Sequence, residues 1–411
     1  MDNLTHAIFG LLVADVAVDA VTPPGSEPSR AFRRRARWAS AIANNLPDLD
    51  FIYRRITPGR VGYLLHHRGH THTLGVGLVL GLASFLLLGR LWQRSPPTRR
   101  ERQVLLALSL LGTWLHVAMD FTNNYGVHPF WPLYDGWFYG DAVFIIEPLY
   151  FVLAIPALAL ASQTRAARLA LSSIVLIVIP LAWVKGFAGL GTVLFLTLGA
   201  AGWAWLALRL APRTRARAAL AASVAMAASF FGLSHVARAR VVEAARGTRA
   251  SATVNVVDAS LTPAPSNPFC WSAMAAGTRG DSYELLVATV SIAPGLVPVA
   301  RCKLEPTGRS VTLRVPRVES TDAVRWDGEW SAPLTELRAL FRGNCEARAY
   351  LRWARLPFWF KEGPKQLFFG DLRYDRSPEL EFAETRGTLP PLSCPPWVPP
   401  WVPPRHELLL E

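Results

Sequence analysis

Histidine and aspartate side chains are concentrated in four short clusters in the first third of the chain. The clusters are His6, Asp48 with Asp50, the histidine-rich run 66–72, and His116 with Asp120. His116 and Asp120 are four residues apart, so they share one face of a helix. Asp48 and Asp50 point the same way if that stretch is extended. Imidazole together with carboxylate suits zinc, iron or manganese, and two ions could share bridging carboxylates.

These clusters lie among apolar segments that predict a membrane helix bundle. Hydrophobic residues make up 51% of the 411 residues and charged residues 18%, which argues against both a disordered chain and a single soluble globule. A helix needs about 20 residues to cross a bilayer. Six stretches reach or approach this length: 74–92, 103–119, 143–161, 169–184, 187–208 and 218–236. Two weaker candidates, 1–21 and 38–51, are interpreted as helices packed inside the bundle with their polar groups facing inward.

The net charge of +13 results from arginines between the apolar segments. Arginines cluster around 30–37, 90–102, 165–168 and 209–217, and the positive-inside rule assigns these loops to the cytoplasm. The loop 54–72 and the pair Arg238 and Arg240 are exceptions. These short loops lack a recognisable DNA-binding module, so no nucleic-acid contact is expected. All four His and Asp clusters then fall at the opposite, outer membrane surface, which supports one shared site.

The region after about residue 245 is predicted to be rich in β-strands. Strand-like segments are 251–258, 283–292, 310–315, 347–355, 366–373 and 379–382. The cysteines of the chain, Cys270, Cys302, Cys345 and Cys394, all lie here. They fit either two disulfides in an oxidising compartment or four free thiols in a cytoplasmic domain. The arginine distribution favours the first alternative, with this region outside the cytoplasmic membrane.

The expected fold class is mainly α, a polytopic membrane helical bundle of about six to eight helices followed by a C-terminal β-rich extramembrane domain. Residues 1–244 are predicted to form the membrane-embedded domain, with the metal site within 1–150. Residues 245–388 are predicted to form the β-rich extracytoplasmic domain. Residues 389–411 form a Pro/Trp-rich tail that is expected to be an extended polyproline segment.

The clusters with their neighbouring residues resemble the YdjM-like family. The motifs are Met1-Asp2-x-x-Thr5-His6, Pro47-Asp48-Leu49-Asp50, His67-Arg68-Gly69-x-Thr71-His72 and His116-x-x-x-Asp120-x-x-Asn123-x-Tyr125-Gly126. Members are bacterial inner-membrane proteins that are predicted metal-dependent hydrolases of the LexA-binding or LexA-regulated type. The resemblance covers roughly residues 1–185 and implies a multi-pass protein of the inner (cytoplasmic) membrane.

The resemblance also implies which residues bind the metal. The implied ligands are His6, Asp48, Asp50, His67, His72, His116 and Asp120. His70 occupies the variable position of the third motif and is a further candidate ligand. The expected cofactor is one or two divalent ions, with zinc ahead of iron or manganese.

Other polar residues have candidate roles around this site. Asp48, Asp50 or Asp120 could act as a catalytic base if it is not bound to the metal. Arg68 is either a holder of an anionic group such as phosphate or a headgroup anchor or helix-end cap. Asp141 and Glu147 flank an apolar run and are candidates to support a ligating histidine from behind, or to hydrogen-bond between helices.

Two functions of different classes fit these features. The first is a membrane-bound metal-dependent hydrolase, with its His/Asp centre at the outer membrane–water interface and phosphoesters or other lipid-derived molecules as expected substrates. The second is a non-catalytic metal-binding membrane protein whose β-rich domain binds an envelope partner. Membrane lipids and an unidentified substrate at the membrane surface are the expected partners. The clustering of ligands at one surface, with few acids along the later spans, favours the enzyme.

Overall fold

The computed structural model describes residues 1–56, 59–184, 186, 188–247, 252–304 and 307–410. Two of the segments identified in the sequence begin at residues 187 and 251, which lie outside these ranges. The described residues have helices in the N-terminal part and antiparallel sheets in the C-terminal part, with 51% helix and 15% strand overall. The predicted fold class is therefore confirmed, while the boundary between the two predicted domains stays a prediction.

The N-terminal part consists of nine helices among the described residues. They are α1 (Asn3–Val21), α2 (Arg30–Ala43), α3 (Gly59–His66), α4 (Leu74–Leu91), α5 (Arg99–Phe121), α6 (Pro148–Leu160), α7 (Arg165–Val184), α8 (Leu190–Arg209) and α9 (Pro212–Arg246). Two short 3₁₀ segments, Leu46–Ile56 and His70–His72, connect α2 to α3 and α3 to α4. Six of the helices, α1, α4, α5, α7, α8 and α9, are long and apolar enough to cross a membrane.

Two predicted helices have different boundaries in the structure. The helix predicted at 143–161 begins only at Pro148, because Glu147 caps it by accepting a hydrogen bond from the backbone NH of Leu149. The segment predicted at 38–51 divides into the end of α2 and the 3₁₀ segment Leu46–Ile56. The break matters for the site, because it turns the chain so that Asp48 and Asp50 lie outside a regular helix.

Helix α1 is packed against α2 with its acids paired, as expected of a helix inside the bundle. Asp15 and Asp19 are buried. The guanidinium of Arg37 contacts Asp15 at 2.6 Å, and that of Arg33 contacts Asp19 at 2.6 Å. These ion pairs lower the cost of burying carboxylates in an apolar helix.

In the C-terminal part, the described residues form two antiparallel sheets. The first has the order β1 (Asn255–Ala264), β2 (Asn267–Arg279), β3 (Ser282–Ser291) and β4 (Val324–Pro333). The second has the order β5 (Pro357–Lys361), β6 (Gln366–Asp371) and β7 (Thr385–Thr388). Three short helices accompany them: α10 (Leu334–Gly343), α11 (Cys345–Leu351) and α12 (His406–Leu409).

The strand predictions were only partly correct. Strands β3 and β6 confirm 283–292 and 366–373, and β1 overlaps the end of 251–258. The strand predicted at 347–355 is wrong, because Asn344 caps helix α11 there. The segments 310–315 and 379–382 form no strand; the first has one isolated bridge, between Arg314 and Glu329. Strand β2 was missed because it is buried on both faces and alanine-rich, so it lacks the polar alternation of a half-exposed strand.

Two disulfides and a buried ion cluster hold the C-terminal part together and join it to the helices. The bridges are Cys270–Cys302 and Cys345–Cys394. Arg355 is buried and contacts Asp258 of β1 at 2.6 Å and Asp141, which precedes α6, at 2.8 Å. This arginine therefore links the two parts of the chain at the side where the polar clusters lie.

Candidate metal centre

Four of the side chains identified in the sequence meet inside the helical part. They are Asp48, His72, His116 and Asp120, and one donor atom of each lies within 4.8 Å of the others. The Nε2 atoms of His72 and His116 are 3.0 Å apart. Oδ2 of Asp120 lies 3.2 Å from the first and 3.3 Å from the second, and Oδ1 of Asp48 lies 3.4 and 3.5 Å from them.

Three separate elements bring these donors together. Helix α5 carries His116 and Asp120 one turn apart on its buried face, as the four-residue spacing predicted. The 3₁₀ segment after α2 supplies Asp48, and the 3₁₀ turn His70–His72 supplies His72 just before α4. Gly69 precedes that turn, and a Cβ there would meet the carbonyl oxygen of His66 at 2.9 Å. The turn therefore needs glycine to pack as closely as it does.

The donor set fits a divalent metal ion. His116 has its Nδ1 2.8 Å from the backbone carbonyl oxygen of Asn44; a proton donated there leaves the Nε2 lone pair facing the other donors. Oδ2 of Asp120 is buried and has no hydrogen-bond partner among the described residues. An unpaired carboxylate oxygen beside two imidazole nitrogens is unfavourable unless a cation or proton lies between them. Two imidazoles and two carboxylates at these separations suit a tetrahedral ion with bonds of about 2.0–2.2 Å.

The other carboxylate oxygen of Asp120 faces three basic groups. This atom, Oδ1, lies 3.2 Å from Nε2 of His6 and 3.0 Å from Nη2 of Arg68, and it contacts the amino group of Met1. The His6 ring stacks on that of His116 with centroids 3.8 Å apart. His6 therefore adjoins the four-residue group through Asp120 without being one of its members.

Asp50 and His67 form a neighbouring pair. Nδ1 of His67 lies 3.2 Å from both oxygens of Asp50, and the backbone NH of Arg68 donates to Asp50 at 2.8 Å. Oδ2 of Asp50 is 3.6 Å from Nδ1 of His72. Asp50 is thus located to orient the segment that carries His72, and the side chain of His67 is partly exposed.

His70 lies apart from the four-residue group, among tryptophans. Its ring centroid is 4.7 Å from those of Trp131 and Trp401 and 5.6 Å from that of Trp397. Trp401 also stacks on His128 at 3.9 Å, and burial lowers the pKa of His128 to about 3. Aromatic side chains of the tail, residues 389–411, therefore pack behind the segment that carries His72. The tryptophan and proline content of the tail alone did not indicate this role.

The two acids proposed as supports of a ligating histidine have other partners. Asp141 pairs with Arg355 and with Arg238, whose Nη2 lies 2.6 Å away. Glu147 accepts hydrogen bonds from the backbone NH and hydroxyl of Ser266, at 3.1 and 2.6 Å. Both carboxylates thus join the helical part to the C-terminal part. The backbone carbonyl of Asn44 contacts the candidate ligand His116 instead. Nothing in the sequence indicated Asn44, because its side chain is not involved in this contact.

Comparison with known proteins agrees with the resemblance found in the motifs. Residues 1–188 match the family model described as YdjM inner membrane protein. This match confirms the predicted resemblance for that part of the chain and includes every residue of the candidate centre. Together with the six apolar helices, it supports a multi-pass membrane protein. The uncharacterized protein YfhP of Bacillus subtilis (strain 168) is 25% identical over 161 residues. The match covers 39% of this chain and 46% of that relative. No solved structure matches.

Proposed function

We propose that this protein is a membrane-bound metal-dependent hydrolase whose substrates are phosphoesters or other lipid-derived molecules. The observation that carries the proposal is the buried four-donor group with one carboxylate oxygen of Asp120 unpaired. A divalent ion bound there would lower the pKa of a coordinated water toward 7 and polarise the bond being cut. Zinc suits the donors best, and iron or manganese are the alternatives.

In this proposal, different residues bind the metal ion and transfer protons. His72 and His116 would hold the ion, and the Asn44 carbonyl orients the ring of His116. The side chain of Asp48 is 17% exposed, the most accessible of the four. Its Oδ2 accepts a hydrogen bond from Asn3 at 2.7 Å, so it is oriented to take up a proton at the open side of the centre. Arg68, beside Asp120, is located to hold an anionic group of the substrate.

We further propose that the β-rich region lies outside the cytoplasmic membrane. The two cysteine pairs support this, since their Cα atoms are 5.4 and 5.5 Å apart, at the usual separation for disulfides. Disulfides persist in oxidising compartments. The arginine-rich loops of the helical part agree with this orientation.

The direct test is hydrolysis by the purified full-length protein in detergent. The protein would be stripped with chelator, reloaded with zinc, manganese or iron, and assayed with para-nitrophenyl phosphate and with short-chain phospholipids. Activity is expected only after reloading and is expected to fall by about 100-fold or more in His116→Ala and Asp120→Asn. The control is His235→Ala, an exposed histidine on α9. A metal-loaded protein that cleaves none of these substrates would instead favour a structural, non-catalytic metal.

A further inference from the structure

A cleft of about 530 Å³ lies beside the candidate centre, between the helical part and the C-terminal part. Arg68, Asn123 and Tyr125 line it from the helical part, while Tyr374, Arg376 and Phe382 line it from the C-terminal part. Arg68 joins the cleft to the centre, because its Nη2 lies 3.0 Å from Asp120. One side chain, that of Arg68, therefore connects the lining of the cleft to Asp120 of the four-donor group.

Three of the residues that line the cleft each have a buried polar atom with no hydrogen-bond partner among the described residues. They are Nε of Arg68, Nδ2 of Asn123 and the hydroxyl of Tyr125. The orientation of the Asn123 amide is fixed, since its Oδ1 accepts from Nη1 of Arg68 and from the backbone NH of Tyr125, both at 2.9 Å. The amide nitrogen must therefore point away from both of these donors.

All three atoms can donate hydrogen bonds, and the residues that carry them are in contact with one another. The Arg68 guanidinium lies over the Tyr125 ring, 4.9 Å from its centroid, and Arg68 is bonded to Asn123. Burying unpaired donors is costly, and donors on residues packed around a guanidinium are the groups that bind the oxygens of an anion. Arg376, which is exposed, adds a positive charge to the lining of the cleft. Glu381 is the acidic residue among those that line it.

Another part of the lining of the cleft is apolar. Val143, Phe144 and Ile145, which precede α6, line it together with Phe382. Ile145 and Ile146 are exposed large hydrophobic side chains at the start of an apolar helix. A ligand that fills the cleft would thus meet both polar groups suited to an anion and apolar side chains.

We propose that this cleft binds a phosphate-type anion carried on an apolar chain. Arg68, Asn123 and Tyr125 hold the anion, Arg376 of the C-terminal part neutralises its remaining charge, and the wall from Val143 to Ile145 covers the chain. This inference rests on the proposed function for its link to catalysis, and it gives the C-terminal part a role in substrate recognition.

The test measures binding of hexyl phosphate and of inorganic phosphate to the full-length protein in detergent, by calorimetry after chelator treatment. Asn123→Asp keeps both accepted hydrogen bonds but replaces the unpaired donor with an acceptor. Tyr125→Phe removes only the hydroxyl. Arg376→Gln tests the C-terminal contribution, and Arg386→Gln, an exposed arginine paired with Glu362 on the second sheet, is its matched control.

We expect hexyl phosphate to bind wild type and the control equally. We expect its affinity to fall by about tenfold or more in Asn123→Asp and Arg376→Gln, and by a smaller factor in Tyr125→Phe. Inorganic phosphate should bind more weakly than hexyl phosphate by more than about tenfold, because it lacks the apolar chain. Equal affinity of wild type, Asn123→Asp and Tyr125→Phe for hexyl phosphate would overturn the anion site, and equal affinity for the two ligands would overturn the apolar wall.

Metal content and hydrolysis are measured in parallel, so that the two proposals can fail separately. Hexyl phosphate bound by a chain that holds no metal and hydrolyses nothing would refute the hydrolase and support the anion site. Metal-dependent hydrolysis that is unchanged in Asn123→Asp and Arg376→Gln would refute the anion site alone.

Discussion

Replacing Arg355 by methionine tests how the C-terminal part is attached to the helices. The Arg355 guanidinium contacts Asp141 through Nη1 and Nη2, both at 2.8 Å, and Asp258 through Nε at 2.6 Å and Nη2 at 2.9 Å. All three side chains are buried. Arg355→Met keeps much of the side-chain volume but leaves two buried carboxylates without their main partner. Removing one member of a buried ion network costs about 3–5 kcal/mol.

Arg238 still contacts both carboxylates in the variant, so it determines where in the range of about 3–5 kcal/mol the loss of stability falls. Arg238 contacts Asp141 at 2.6 Å and Asp258 at 3.4 Å, but its side chain is 37% exposed, so solvent screens its contribution. We therefore expect a loss of about 3 kcal/mol, which would lower the melting temperature by at least about 5 °C. The assay is thermal unfolding of the full-length protein in detergent, followed by tryptophan fluorescence.

The loss should depend on pH in a defined direction. Although burial acts to raise it, the pKa of Asp258 is held well below its usual value by Arg355. In the wild type Asp258 thus contributes stability above the unfolded pKa of about 4 that is lost at lower pH. Without Arg355 burial dominates and the pKa of Asp258 rises, so the variant should recover stability as pH falls from 8 to 5. A melting temperature at pH 8 as high as that of the control Arg386→Met would refute the reasoning.

Three further predictions concern the C-terminal part. Replacing Cys345 and Cys394 together by serine should lower the free energy of unfolding by about 2–4 kcal/mol. It should also make the tail susceptible to limited proteolysis, and mass spectrometry would locate the new cleavage site. Burial raises the pKa of Glu384 to about 7, so the stability that its protonated form contributes is lost as pH rises from about 4.5 through 7. In denaturant titrations, the stability of Glu384→Gln relative to wild type should therefore increase as pH rises from about 5 to 8. Trp401→Ala removes a fully buried ring and the hydrogen bond to the Leu65 carbonyl; we expect a loss of about 3–5 kcal/mol by the same titration.

The helical part and the core of the site could be predicted because their signals are local. Apolar length identified the long helices, and the four-residue spacing of His116 and Asp120 determined that they share a face. The choice among the remaining candidate ligands was not predictable. Whether His67, His70 or His72 faces α5 depends on a 3₁₀ turn of three residues, which sequence periodicity does not define.

The rest of the fold depends on contacts between residues far apart in the chain. The pairing of Asp141 with Arg355 and the packing of Trp401 under Leu65 join segments separated by hundreds of residues. The sequence of β2 resembles a buried helix as much as a buried strand, because both lack alternation. These features were therefore found only in the assembled structure.

Metal content of the purified full-length protein tests the central claim most directly. Plasma mass spectrometry would compare wild type with His116→Ala, Asp120→Asn and His70→Ala, with His235→Ala as the control, all purified without chelator. The account predicts about one divalent ion per chain in wild type, His70→Ala and His235→Ala, and loss of that ion in His116→Ala and Asp120→Asn. Wild-type protein without stoichiometric metal, even after reloading, or variants of His116 and Asp120 that retain it, would contradict the account.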